Sequence, residues 1–303
     1  MTNDRWGRAM TLGERRVLHP GPLRWLRALG WMVLLFLLAS IPAGLATSGV
    51  AHLLPRTEMS DLIANVIGAL ICLGLYGLLV RGGEARLADE ISPAKAPMGL
   101  IAGLVVGVAM FAAVMGLMAV FGLYDIEWKG AASPLSALSK SIESGVIEEV
   151  LVRAIILRLV WRAFGPWVAF AISAALFGAG HLANPNATPF AAIAIAVEAG
   201  VMLGAFYVLT GRLWMSIGVH AAWNFTQGYL FGAAVSGTEF GPALASSVAR
   251  AGRPEILTGG AFGPEASLPG LFIGALVGVV VLGMAWKAGR FRTASPDTGA
   301  VVA

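Results

Sequence analysis

Charge is scarce in this chain. Asp, Glu, Lys and Arg make up 13% of its 303 residues, against about 25% in an ordinary soluble domain. With that and a mean hydropathy of +0.78, a water-soluble globule is excluded. Cysteine is scarcer still. Cys72 stands alone, so neither an intrachain disulfide framework nor a cysteine-built metal site can form. Nor do the long apolar runs show the alternation of apolar and polar residues that barrel strands would. The apolar runs are continuous, which excludes a barrel and leaves helices as the way to satisfy the backbone in lipid. A glycine-rich phosphate loop and nucleic-acid motifs are also absent, so the expected partner is the lipid bilayer, not nucleic acid.

What is present is a series of apolar runs about long enough to cross a bilayer, for which some 20 residues are needed. They fall near Ala28–Leu54, Leu62–Val80, Met98–Leu123, Leu135–Phe164, Trp167–Leu182, Pro189–Thr210, Leu213–Val235 and Leu268–Trp286. The expected fold is all-α: one polytopic bundle of about eight transmembrane helices over 28–288, between a basic tail at 1–27 and a second tail at 289–303. The first run is too long for a signal-peptide core and reads as a retained anchor, with the small residues at Ala43–Ala46 leaving cleavage open. Basic residues gather in the first tail (Arg5, Arg8, Arg15, Arg16, Arg24, Arg27), in alternate connections (Arg81, Arg86, Lys95; Arg158, Arg162; Arg212) and in the second tail (Lys287, Arg290, Arg292). By the positive-inside rule both termini are expected in the cytoplasm. Trp25, Trp31, Trp128, Trp167 and Trp286 sit near predicted interfaces and read as anchors. Gly99, Gly103 and Gly107, and Gly270, Gly274 and Gly278, form small-residue stripes that allow close helix packing. The Gly/Ala/Pro-rich connection Ser236–Ser267 reads as a lid or a linker.

Ionisable groups inside such spans are costly, by about 2.5–3.5 kcal/mol each on insertion scales. Yet the fourth run carries Glu148, Glu149 and Arg153, the fifth His181, and the seventh His220 and Asn224. Residues four apart share a helix face, so Glu149 is placed to pair with Arg153, Phe177 to pack beside His181, and His220 and Asn224 to face one way. Glu148 is left without a partner in its own helix and is a candidate general base. At 1.5 Å rise per residue, Glu148 lies about 21 Å from Arg162, His181 about 22 Å from Pro166, and His220 and Asn224 about 12 and 18 Å from Arg212. Within the play of tilt these residues can meet at one level, toward the outer half of the membrane. Glu198, in the sixth run, is the acidic residue outside these groups. It could line a substrate path, orient a histidine or serve packing alone. His19 and His52 sit near run ends, where solvation is expected.

The three groups, Glu148-Glu149-xxx-Arg153, Phe177-xxx-His181 and His220-xxx-Asn224, resemble the signature of the CPBP family, also called the CAAX prenyl protease type II and bacteriocin self-immunity (Abi) family. The stretches GAFYVLTGRLWMSIGVHAAWN from Gly204 and TGGAFGPEAS from Thr258 are similar to segments of its bacterial members, and the likeness spans roughly 130–285. The resemblance implies an intramembrane endopeptidase of the bacterial cytoplasmic membrane acting on a hydrophobic or membrane-anchored peptide or protein. It further implies that Glu148 and His181 activate water, that His220 and Asn224 stabilise the oxyanion, and that Glu149 and Arg153 support the site. The family's metalloprotease label leaves Zn2+ open, with Glu148, His181 and His220 as the ligand set; no HExxH motif is present, and a metal-free glutamate mechanism stands beside it. A non-catalytic scaffold or immunity protein is the alternative reading, and a proton-coupled transporter using Glu148, His181 and Glu198 a more distant one. Substrate identity, oligomeric state and the membrane face to which the site opens are not legible in the residues.

Overall fold

The computed structural model describes residues 7–291; Arg5 and Arg292 of the two basic tails lie outside the described residues. The chain is mostly helical. Two long helices, α1 (Arg24–Leu53) and α2 (Glu58–Glu84), pack side by side. After α3 (Ala96–Val120) and strand β1 (Tyr124–Trp128), a long helical passage runs as α4 (Leu135–Glu143), a π-helical stretch (Ser144–Leu157) and α5 (Arg158–Phe164). α6 (Pro166–Gly180) ends in a 3-10 turn at His181–Ala183. α7 (Pro189–Ile195) passes through a second π stretch (Ala196–Val201) into α8 (Met202–Thr210). α9 (Leu213–Phe225) ends in a third (Thr226–Leu230). β2 (Ala245–Ala249), the short α10 (Glu255–Thr258) and α11 (Leu268–Lys287) follow.

Six of these stretches are long and apolar enough to cross a membrane: Arg24–Leu53, Glu58–Glu84, Pro93–Val120, Pro166–Ala183, Pro189–Thr210 and Leu268–Lys287. The two runs expected to span that fall outside this set are those around 135–164 and 213–235, the carriers of Glu148, Glu149, Arg153, His220 and Asn224. Their polar residues are what lower their hydropathy. The seventh run is also shorter than expected, its helix stopping at Leu230.

The bundle has two distinguishable ends. At one, Ser133 donates a hydrogen bond to Glu58 at the start of α2, and β1 and β2 pair antiparallel with Tyr124 opposite Ala249 and Trp128 opposite Ala245. At the other, Arg158 meets Glu84 at the end of α2. The described part of the first tail packs at this second end: Arg162 donates to the carbonyls of Gly13 and Leu18, and Arg8 pairs with Asp89 at 2.7 Å. Three helix starts are capped by hydroxyls. Thr57, Thr188 and Ser267 each accept the backbone N–H three residues on, which satisfies donors that lipid would leave unpaired.

The glycine stripes seat two helices that border the site. A Cβ at Gly103 would stand 2.4 Å from the carbonyl oxygen of Met215, and one at Gly107 2.4 Å from that of Val219. Only glycine lets α3 lie this close to α9, the helix that carries His220 and Asn224. Trp31 corrects one expectation. It is buried, and its Nε1–H donates to Glu84 at 2.9 Å, so it is a core hydrogen-bond donor and not an interface anchor. Trp25, Trp128, Trp167 and Trp286 are exposed, as are His19 and His52.

Candidate active site

Glu148, His181, His220 and Asn224 line one cavity of about 310 Å³. They come from three separate passages: the first π stretch, the turn after α6, and α9. The backbone departs from regular α geometry at most of this wall. π turns are rare and cluster at functional sites, and here each π stretch holds a buried polar or charged group, Glu149, Glu198 and Gln227, of which Glu198 lines the cavity itself.

The expected pairing of Glu149 with Arg153 is present. Arg153 Nη1 donates to Glu149 Oε1 at 2.7 Å, and both side chains are fully buried. Arg153 Nη2 donates to the carbonyl of Ala199 at 2.8 Å, and the guanidinium lies over the Phe177 ring, 4.5 Å from its centroid. One more partner was not legible in the sequence: His220 Nδ1 is 3.0 Å from the same Glu149 oxygen. A carboxylate only accepts, so this Nδ1 carries the proton. Glu149 thus ties Arg153 to His220 and fixes the imidazole's orientation.

Glu148 differs from its neighbour. Its side chain is 36% exposed against 0% for Glu149. Its Oε2 is 3.8 Å from His220 Nε2, too far for a hydrogen bond, and is buried without a partner. His181 lies at the cavity edge with its ring packed edge-on to Phe177, centroids 4.8 Å apart. Its Nδ1 is 2.8 Å from the Phe177 carbonyl. A carbonyl also only accepts, so in the neutral ring Nδ1 is protonated and Nε2 keeps its lone pair. Asn224 donates from Nδ2 to Ser144 Oγ at 2.9 Å, leaving its other amide hydrogen uncommitted. Together the cavity offers a carboxylate and the Nε2 atoms of two imidazoles, with the Asn224 amide as a donor.

Three further acids reach this cavity: the half-buried Glu143, and the buried Glu198 and Glu265. Glu198 is buried, and neither of its carboxyl oxygens has a hydrogen-bond partner. Glu265, from the connection between α9 and α11, accepts from Ser236 N–H at 2.5 Å and Ser236 Oγ–H at 2.8 Å. Burial pushes its carboxyl up from the ordinary value, against the opposing pull of Ser236 and His181. Sequence reasoning named Glu198 but passed over Glu265 as a site residue. The 236–267 connection is thus a packed wall of the cavity: Phe262 and Ala266 join a small core with Phe177, Ala191 and Ile195.

Among the described residues, no three of His, Cys, Asp and Glu form a group that could hold a metal ion. Glu148, His181 and His220 line the same cavity without meeting that condition; each imidazole has Nδ1 held, by Phe177 or Glu149, which leaves its Nε2 as the nitrogen open to the cavity.

Residues 130–226 match the family model for the Rce1-like type II CAAX prenyl endopeptidases. The matched segment, about a third of the chain, holds all three polar groups and is similar to that family of proteases; the apolar helices point to an integral membrane protein. Searches of curated proteins and of solved structures returned no match.

Proposed function

We propose that the protein is an intramembrane endopeptidase in which Glu148 and His181 activate the attacking water. The observation that carries this reading is the convergence of Glu148, His181, His220 and Asn224 on one cavity although they are spread over 77 positions of sequence, 148 to 224. Glu148 takes the water proton, and the free Nε2 of His181 holds the water by accepting its second hydrogen. The oxyanion forms opposite, facing the Asn224 amide and His220 Nε2. In that role His220 is doubly protonated, with Nδ1–H on Glu149 and Nε2–H toward the developing charge. The proton held by Glu148 then passes to the leaving amine. Glu149 and Arg153 touch no substrate and act as positioning residues for His220. No step passes through a metal.

A second, apolar groove of about 480 Å³ supports the substrate class. It is lined by Phe36, Leu151, Val152, Ile156 and Leu176, and it meets the polar cavity at Glu148, Phe177 and His181. A hydrophobic or membrane-anchored peptide entering there would bring its scissile bond to Glu148. In this reading the chain spans the bilayer eight times, in a bacterial cytoplasmic membrane, with both termini cytoplasmic. The described basic residues at the Glu84 end support the orientation, and it has the cavity opening toward the opposite face, where β1 and β2 pair.

The test is comparative terminal proteomics of membranes bearing the wild type or Glu148→Gln at matched levels. Peptide termini seen only with the wild type are expected, and they name substrate and bond together. Identical termini in the two samples would overturn the assignment in favour of a scaffold.

A further inference from the structure

The reaction above leaves two fully buried acids of the cavity unused. Glu198 is 1% exposed and Glu265 2% exposed. They meet successive glycines of α11: an added Cβ at Gly270 would stand 2.6 Å from the Glu265 carbonyl oxygen, and one at Gly274 2.3 Å from the Glu198 Cβ. Those glycines are about 6 Å apart along the helix axis, so the two acids form one wall. The absence of side chains on that face of α11 lets the last helix press this wall toward the site.

An isolated buried carboxylate is expensive. Glu265 is partly compensated by Ser236 and by the pull of His181. Glu198 is not compensated by any hydrogen bond among the described residues. Beyond the two imidazoles, the rest of the cavity does not balance them. Glu143 and Glu148 add two more carboxyls, and the one lysine in the lining, Lys140, has its ammonium on the Glu239 carbonyl and over the Phe240 ring. A recess so lined repels anions, leaves a neutral group with two unmatched acceptors, and draws in a cation with hydrogens to donate.

We propose that Glu198 and Glu265 form a substrate subsite that receives the ammonium or guanidinium of a basic residue close to the scissile bond. The proposal rests on the endopeptidase reading for its use but not for its detection. Glu198, with both oxygens free, makes the direct contact. Glu265, with Oε1 held by Ser236, presents its second oxygen. Substrate choice then has two parts: an apolar segment in the groove beside Leu151 and Ile156, and a positive charge past the catalytic water.

Binding can be read without turnover, using full-length Glu148→Gln protein in detergent. Hexylammonium chloride is expected to raise its melting temperature saturably, whereas hexanol and sodium chloride at equal concentration are not. The shift should disappear when Glu198→Gln and Glu265→Gln are added, or with Glu198→Gln alone if the triple variant does not fold. Equal shifts with hexanol, a shift that survives the loss of Glu198, or a response to sodium alone would each overturn the subsite; the last would mark an inorganic cation site. In a second arm, a palmitoylated random peptide library is digested by the wild type. Products should be enriched in Lys or Arg at one fixed position, an enrichment that falls at least tenfold in Glu198→Gln. Products without basic enrichment would sink the subsite and leave the endopeptidase standing. A library left uncut would count against the endopeptidase, and the melting arm would still decide the subsite.

Discussion

Two clusters of buried charge stand at opposite ends of this bundle, and they are built to opposite standards. At the second end, Glu84 accepts from Trp31, Arg86 and both terminal nitrogens of Arg158. Glu90 accepts from Arg86 with both oxygens and from Tyr76. Arg158 Nε donates to the Ala154 carbonyl. No atom of these residues is left buried without a partner, although the hydroxyl of Tyr207 near them is. Burial works to raise the Glu90 carboxyl, but Arg86 and Arg158 hold it below its ordinary value. At the cavity the same residue types leave gaps: one oxygen each on Glu148 and Glu149, Nε of Arg153, and both oxygens of Glu198. A cluster that only holds helices together closes its hydrogen bonds. A cluster that works on a substrate must leave some of them for it.

The sharpest way to break that comparison is to neutralise one acid in each cluster. Glu148→Gln should lower cleavage by about 10²–10⁴-fold, the usual worth of a general base, with a melting temperature at or above that of the wild type. Glu84→Gln should do the reverse. It strands Arg158 in the core and should cost about 3–5 kcal/mol of stability, read by thermal or denaturant unfolding, while activity per folded molecule persists. If both variants lost stability alike, the two clusters would be one kind of thing.

A smaller effect sharpens the geometry. Gly107→Ala places a methyl against the Val219 carbonyl and should cost about 1–3 kcal/mol as overpacking, with loss of cleavage as α9 and His220 shift. Gly116→Ala, on the same helix with nothing within 4 Å, should be neutral or mildly stabilising. The smallest effect belongs to the surface. Asp125 and Arg250 pair at 2.7 Å with both side chains well exposed, and Asp125→Asn should change stability by less than about 1 kcal/mol.

How much of this could be read in the sequence depended on distance along the chain. The pairs at four-residue spacing, Glu149 with Arg153 and Phe177 with His181, were legible because a single helical turn fixes them. The convergence of the motifs was legible only as a compatibility of depths. Contacts between remote residues were not: the link from Glu149 to His220, that of Ser236 to Glu265, and the pairing of Glu84 with Arg158 all need the fold. Trp31 was misread for the same reason, since its partner lies on another helix. The π stretches carry no sequence signal that periodicity could find. The β1–β2 pair was missed although Tyr124–Trp128 alternates apolar and polar residues, because its five residues are short and their partner, Ala245–Ala249, lies more than a hundred positions away without such alternation.

The central claim is that Glu148 directs water onto a peptide bond. It is tested most directly by terminal proteomics of membranes incubated in 18O-labelled water. With the wild type, the account predicts new carboxyl termini carrying one heavy oxygen, absent in Glu148→Gln at equal protein level. Labelled termini that appear equally with and without the Glu148 carboxylate, or that never appear, would contradict it.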